Sequence, residues 1–139
     1  MVQIVVESIV KAPISKVWEC WTLPKHIVKW NFASIDWHCP KAINDLKIGG
    51  EFHYTMEAKD GSFGFDFCGT YVNIEERKGI DILLGDGRRV SILFELVETG
   101  TRIIEKFDPE TENTVELQKK GWQMILDNFK LYVENSTTN

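Results

Sequence analysis

Glu105 is the residue whose position in the sequence is most suggestive of chemistry. It alternates with Thr101, Ile103 and Phe107 in the segment 101–108, and this alternation places the four side chains on one face of a strand. If that face points into the protein, burial would raise the pKa of the carboxyl. Glu105 would then act as a general base or anchor a ligand by a hydrogen bond. The alternative is a strand that twists near its end and leaves Glu105 solvated or paired with a surface base.

Two tyrosines form the second group of candidates. Tyr54 and Tyr71 fall on the apolar faces of two segments with strand-like alternation. Their hydroxyls would bind a ligand carbonyl if they pointed into a pocket, as in a steroid-type binder or an aromatic cyclase. The alternative is that both hydroxyls make structural hydrogen bonds within the protein.

The histidines and cysteines indicate neither a metal site nor a nucleophile. They lie in separate segments, with no His-x-x-x-His or Cys-x-x-Cys spacing, at His26, His38, His53, Cys20, Cys39 and Cys68. An odd number of widely spaced cysteines gives no disulfide framework either. We therefore expect reduced thiols, no metal and no cofactor.

Composition excludes several classes of function. The chain has 139 residues with 16 basic and 21 acidic side chains, for a net charge of −5. Because nucleic acids and anionic membranes attract basic patches, this balance argues against both as partners. The N-terminus resembles no signal peptide, and no apolar run reaches the ~18 residues that span a bilayer. We expect one cytoplasmic domain over 1–139, with a frayed tail at 136–139.

The periodicity of apolar residues predicts a mixed α+β fold. A strand over 2–11 precedes two short helices, which run from Pro13 to Leu23 and from Pro24 to Trp30. Six strands follow at 34–38, 50–57, 63–76, 79–84, 89–98 and 101–108. Most of their connections are short and rich in Gly and Asp, which favours an antiparallel meander. An apolar stripe then predicts one long helix over 114–134, capped by Thr111 or Asn113.

The same patterns predict which side chains point inward. The long helix must lie across one face of the sheet, and Gly121 within it would allow close approach of another backbone or leave room beside Trp122. The inward residues are large and aromatic for such short strands, which is typical of a pocket wall. The predicted inward set is Phe52, Tyr54, Met56, Phe65, Phe67, Gly69, Tyr71, Val90, Ile92, Phe94, Leu96, Trp122, Ile125, Leu126 and Phe129.

An ordered set of motifs resembles one known family across nearly the whole chain. The motifs are Ala12-Pro13, Val17-Trp18, Trp30, Gly49-Gly50-x-Phe52-x-Tyr54, Gly69-x-Tyr71 and Gly121-Trp122-x-x-x-Leu126-x-x-Phe129. The chain is similar to the homologues of the activator of heat-shock-protein-90 ATPase, within the START-like helix-grip superfamily. The resemblance implies a curved antiparallel sheet of six to seven strands wrapped around a long C-terminal helix, with a ligand cavity between them.

Three functions follow as hypotheses. The first is binding of an apolar or aromatic small molecule, such as a lipid or polyketide, between sheet and helix. The second is an enzyme of the cyclase or hydratase kind that uses the same cavity, and the third is an interaction domain that stimulates a chaperone ATPase. The candidate ligand-binding residues are Trp30, Phe52, Tyr54, Phe65, Phe67, Tyr71, Phe94, Glu105, Trp122, Ile125, Leu126 and Phe129. The alternative for each aromatic residue is ordinary core packing.

Overall fold

A computed structural model describes residues 2–136 as a curled antiparallel sheet with three helices. The strands are β1 (Ile4–Val10), β2 (Trp37–Asn44), β3 (Glu51–Ala58), β4 (Gly64–Glu75), β5 (Gly79–Leu84), β6 (Arg89–Val97) and β7 (Gly100–Phe107). The helices are α1 (Ile14–Thr22), α2 (Pro24–Trp30) and α3 (Val115–Asn135). Apart from Ser136, the tail expected at 136–139 lies outside the described residues.

The sheet confirms the predicted meander and adds β1 at its end. Its seven strands lie in the order β1-β7-β6-β5-β4-β3-β2, and every neighbouring pair is antiparallel. The first strand therefore pairs with the last, with Val6 opposite Glu105. Gly100 permits the close approach of these two strands, because a Cβ there would lie 2.1 Å from the Val10 carbonyl oxygen.

Helix α3 packs along β1 and closes one side of the curled sheet. The Gln123 amide donates a hydrogen bond to the Glu7 carbonyl, and Glu134 accepts one from the Lys11 backbone. The helix begins one residue later than predicted, and its cap is neither Thr111 nor Asn113. Thr114 caps it instead, since its hydroxyl oxygen accepts from the Leu117 N–H at 3.1 Å.

The core fills the end of the interior that the short helices cover. Phe129 of α3 contacts Trp21 and Trp30, with ring centroids 4.9 and 4.8 Å away. Trp18 meets the edge of Phe94 at 5.3 Å. The two helices thus supply the tryptophans that occupy this half of the space between sheet and α3.

Three local expectations were wrong. The strand expected at 34–38 runs instead from Trp37 to Asn44, with an irregular register around Pro40. An edge strand tolerates such a proline, because one side of its backbone needs no partner. Leu96 is 75% exposed, since it lies at the end of β6 beyond the reach of the helices. The first of the two roles expected of Gly121 is also wrong, because an added Cβ there would meet no atom of its non-neighbouring described residues within 4 Å; room beside Trp122 stays a prediction.

Candidate functional site

A cavity of about 300 Å³ lies between the sheet and the N-terminal half of α3. Its walls are mostly apolar and come from strands β3 to β7, from α1 and α2, and from α3. The lining residues are Trp21, Trp30, Asn31, Phe52, Tyr54, Met56, Phe65, Phe67, Tyr71, Ile80, Ile82, Leu84, Arg88, Val90, Ile92, Glu105, Glu110, Asn113, Gln118, Trp122 and Ile125. Concave, largely apolar spaces of this kind are the usual form of small-molecule sites.

Aromatic contacts connect the two walls of the cavity. Trp122 of α3 stacks on Phe107 with ring centroids 3.8 Å apart, and it meets the edge of Phe67 at 6.0 Å. Phe52 lies between Tyr54 and Phe67 on the sheet side. Gly69 makes room for this ring, because a Cβ there would lie 2.9 Å from Phe52. Trp122 therefore connects the helix wall of the cavity to its sheet wall.

Glu105 points into this cavity and is only 6% exposed. Its cross-strand neighbours are Val6 and Ile92, both apolar. Among residues 2–136, no hydrogen bond or ion pair reaches its carboxyl. Burial alone therefore raises the pKa of Glu105 to about 8, so that the group is mainly a neutral acid at pH 7.

Asn31 adds a second polar group without a good partner. Asn31 lines the cavity, but its Nδ2 is buried behind the cavity surface and finds no hydrogen-bond partner among the described residues beyond a weak interaction with the Cys39 thiol. Buried amide groups nearly always have a partner, because leaving one unpaired costs about 1–3 kcal/mol. Glu105 thus offers a ligand in the cavity a carboxyl without a partner, and Asn31 Nδ2 is a second unsatisfied group just behind the wall.

The tyrosine hydroxyls are used inside the protein. Tyr54 donates to Tyr71, and Tyr71 donates to Asn44 Oδ1 at 2.5 Å. Asn44 in turn donates to the Thr22 carbonyl oxygen at 2.6 Å. Burial raises the pKa of both phenols, most strongly that of Tyr54. This chain joins the sheet to α1, so the alternative of structural hydrogen bonds describes the two tyrosines.

One boundary of the cavity is polar and comes from the loop before α3. Gln118 donates to the carbonyl oxygens of Glu110 and Asn113, at 3.1 and 2.8 Å. Its own oxygen accepts from the Glu110 N–H at 2.9 Å. Arg88, from the turn between β5 and β6, also lines the cavity and pairs with Asp86 at 2.8 Å. These contacts order the chain at the edge of an otherwise apolar space.

The structure brings nine of the twelve predicted site residues to the cavity wall. They are Trp30, Phe52, Tyr54, Phe65, Phe67, Tyr71, Glu105, Trp122 and Ile125. The other three, Phe94, Leu126 and Phe129, are buried in the core and do not line the cavity. The tryptophans of α1 and α2 fill the space beside Phe94 and Phe129, which explains why they have no free surface.

Sequence reasoning missed several lining residues. Trp21 borders the cavity, although its helical spacing fits ordinary packing equally well. Gln118 gave a usable signal, since it is a polar residue on the apolar stripe of α3. Asn31, Arg88, Glu110 and Asn113 lie in loops or at strand ends, where no periodicity shows which way a side chain points.

Within residues 2–136, no helix combines the length and apolar character that crossing a bilayer requires.

The curled sheet, the long C-terminal helix and the cavity between them define a helix-grip protein of the START-like class. The model of one family, described as Activator of Hsp90 ATPase homolog 1-like protein, matches residues 11–134. The chain therefore belongs to this family.

Solved structures support both the family and the fold. The chain is similar to the AHSA1-like protein from Aeromonas hydrophila, with 41% identity over 99% of each chain and a TM-score of 0.89. It shares 52% identity with a protein from Cytophaga hutchinsonii over 96% of this chain and 92% of that one, with a TM-score of 0.83. A protein from Chromobacterium violaceum, 19% identical over 96% and 99% of the two chains, has the same fold with a TM-score of 0.85. Among proteins with curated descriptions, none matches the chain.

Proposed function

We propose that this protein binds a compact, mainly apolar or aromatic small molecule in the cavity between the sheet and α3. The observation that carries this proposal is a cavity with aromatic walls into which the unpartnered carboxyl of Glu105 points, with a second polar group that lacks a good partner, Asn31 Nδ2, buried beside the wall. A protein that gained nothing from these groups would be more stable with apolar residues in their places.

The size of the cavity narrows the class of ligand. About 300 Å³ is at the lower end of the range for small-molecule sites, roughly 300–1,000 Å³. This volume favours a compact ring system over a lipid with two long chains. The aromatic walls formed by Phe52, Phe67 and Trp122 suit a flat ligand, because aromatic rings pack well in offset or edge-to-face contacts.

The polar groups narrow the class of ligand further. A neutral Glu105 carboxyl donates one hydrogen bond into the cavity. The ligand should therefore have at least one acceptor oxygen, such as a carbonyl. An anionic ligand is disfavoured, because its charge would lose hydration in a mainly apolar cavity.

Binding can be tested with a panel of small cyclic ketones, flavonoid-like phenols and fatty acids, followed by amide chemical shifts in ¹⁵N-labelled protein. We expect saturable shifts at Phe67, Tyr71, Ile92 and Trp122 with a ketone or phenol. Shifts that avoid these four residues for every compound, or no saturable shifts at all, would contradict the proposal.

Two substitutions then separate the possible roles of Glu105. Glu105→Gln keeps a donor and an acceptor, so a carbonyl ligand should bind nearly as well as to the unsubstituted protein. Glu105→Leu removes both and should weaken binding about tenfold, the value of one good hydrogen bond. Glu95→Gln, an exposed change on β6, is the matched control. A large loss of affinity in Glu105→Gln would indicate a cationic ligand instead.

A second candidate function is proton transfer to or from a bound molecule. Glu105 supports it, because a carboxyl with a pKa of about 8 in an apolar cavity can give or take a proton near neutral pH. In an enzyme of this kind, Glu105→Gln would retain binding and lose turnover. Equal turnover of the two proteins would remove Glu105 from any mechanism.

The family description, which refers to the ATPase of Hsp90, supports a chaperone as a further candidate partner. An exposed aromatic cluster formed by Trp37, Phe63 and Phe65 is the surface that we would examine, and Phe63 is 63% exposed. If purified protein leaves the ATP hydrolysis of the host chaperone unchanged, this candidate fails.

A further inference from the structure

Three side chains of types that bind metals lie together on the face of β3 and β4 that points away from the cavity. His53 comes from β3, and Asp66 and Cys68 come from β4. One potential ligand atom from each residue lies within 4.8 Å of those of the other two. None of these three residues lines the cavity, so the cluster is independent of the function proposed above.

The register of the two strands creates this cluster. His53 lies directly opposite Cys68, and Asp66 is two residues earlier on β4, so its side chain points to the same face. His53 Nδ1 lies 2.9 Å from Asp66 Oδ2. His53 and Asp66 are 13 positions apart in the sequence, and the antiparallel pairing of β3 and β4 brings them together.

We propose that His53, Asp66 and Cys68 form a surface site for a late first-row divalent transition metal, with Zn²⁺ as the ion whose chemistry fits best. The ligand set is an imidazole nitrogen, a carboxylate oxygen and a thiolate sulfur. Zn²⁺ accepts all three types, whereas Ca²⁺ and Mg²⁺ require mainly oxygen. Three protein ligands leave a fourth tetrahedral position for water or for another molecule.

Geometry supports Nδ1 as the imidazole ligand. The other ring nitrogen, Nε2, lies 3.1 Å from a carboxylate oxygen of Glu51. A metal at Nδ1 would replace the proton that this nitrogen donates to Asp66 Oδ2, while the Glu51 carboxylate would keep the proton on Nε2, a common arrangement around metal-bound histidines. In a tetrahedral zinc site the ligand atoms are about 3.5 Å apart. Small rotations of these partly exposed side chains would therefore bring the three ligand atoms to the distances of a zinc site.

The exposure of the cysteines makes the proposal testable with a spectroscopic probe. Cys20 and Cys39 are only 3% and 2% exposed, whereas Cys68 is accessible. A Co²⁺–thiolate bond produces a strong absorption band in the near ultraviolet, so Co²⁺ should report on Cys68 alone. We would titrate untagged full-length protein with CoCl₂ in the presence of a reductant that contains no thiol.

We expect a near-ultraviolet band that saturates at one Co²⁺ per chain and disappears when ZnCl₂ is added. Cys68→Ser should abolish the band, and His53→Gln should raise the apparent Kd for Co²⁺ at least about tenfold. The matched control is His38→Gln, since His38 also pairs with a carboxylate, Glu57, at 3.2 Å and has comparable exposure. This control should bind Co²⁺ like the unsubstituted protein.

Three outcomes would overturn the proposal. They are the absence of a saturable band, a band that persists in Cys68→Ser, and equal losses of affinity in His53→Gln and His38→Gln. Circular dichroism of each variant verifies that the fold is retained, which we expect because the substituted side chains lie on the surface. Binding to the cavity would be unaffected in all three variants, so failure here is distinguishable from failure of the proposed ligand binding.

Discussion

The buried carboxyl of Glu105 lowers the free energy of unfolding, and the size of this effect depends on pH. Val6 and Ile92 flank Glu105, and among residues 2–136 no basic group offsets its charge. Its pKa is about 8 in the folded state, against 4.5 for an unperturbed glutamate. Below the lower value the group is protonated in both states and has no effect on their balance. Between the two values the unfolded chain loses this proton first, so rising pH favours unfolding by about 1.4 kcal/mol per pH unit.

Glu105→Gln should remove this dependence, because glutamine titrates in neither state. We expect the variant and the unsubstituted protein to be similarly stable near pH 4.5. The variant should then become increasingly more stable than the unsubstituted protein up to about pH 8, and the difference should stay constant above that pH. The measurement is the free energy of urea unfolding for both proteins across this range. Glu95→Gln, on the exposed side of β6, should show no such trend. A constant difference between Glu105→Gln and the unsubstituted protein would mean that Glu105 reaches solvent.

The N-terminal half of helix α3 lines the cavity, and its C-terminal half packs in the core. Its N-terminal half supplies Gln118, Trp122 and Ile125 to the cavity, whereas Leu126 and Phe129 are fully buried in the core. The same helix thus closes the cavity and anchors it to the packed end of the molecule.

Gly121 weakens this helix without a compensating contact. Because an added Cβ would meet nothing within 4 Å, Gly121→Ala should stabilise the protein by about 0.5–1 kcal/mol, the helix-propensity difference between the two residues. Thermal or urea unfolding would measure the gain. Gly69→Ala is the contrasting control, since its Cβ would lie 2.9 Å from both Phe52 and the Leu83 carbonyl oxygen, and it should destabilise. Loss of stability in Gly121→Ala would imply a neighbour that the structure does not place there.

The elements were predictable from the sequence because their signals are local. Short turns between the alternating segments from β3 onward leave only antiparallel hairpins, and the long stripe of α3 has a single apolar face. Where a boundary depends on packing, the prediction failed. Strand β2 continues through Pro40 because it lies at the edge of the sheet. Leu96 is exposed because the end of β6 extends beyond the helices that cover the sheet.

The contacts between different strands and helices were harder to predict from the sequence. The alternation of β7 predicted an inward Glu105, but it contained no sign that Val6 would lie opposite. Division of the interior into core and cavity also depends on which side chains the two short helices insert. Phe94 and Ile92 look alike in the sequence, yet Trp18 packs on Phe94 while Ile92 lines the cavity. The His53–Asp66–Cys68 cluster exists only through the β3–β4 register.

At the scale of the molecule, the fold combines a tightly packed end with an open one. The tryptophans of α1 and α2 fill the first, and Trp122 bridges Phe107 and Phe67 at the second. An apolar space of about 300 Å³ reduces stability, because the atoms around it lose packing contacts. Side chains that filled this space would therefore be expected to stabilise the protein.

Neighbouring residues on α3 offer a test of this division that needs no ligand. Ile125 lines the cavity, whereas Leu126 is fully buried in the core. Enlarging a side chain in a packed core usually costs about 1–3 kcal/mol, so Leu126→Phe should destabilise the protein by this amount. Ile125→Phe has free space to occupy, and we expect its unfolding free energy to stay within about 1 kcal/mol of the unsubstituted value. Urea unfolding compares the two, with the outward-facing Met124→Phe as a control for placing phenylalanine on this helix. Equal destabilisation by Ile125→Phe and Leu126→Phe would show that the interior is packed throughout, and the proposed ligand site would then have no room.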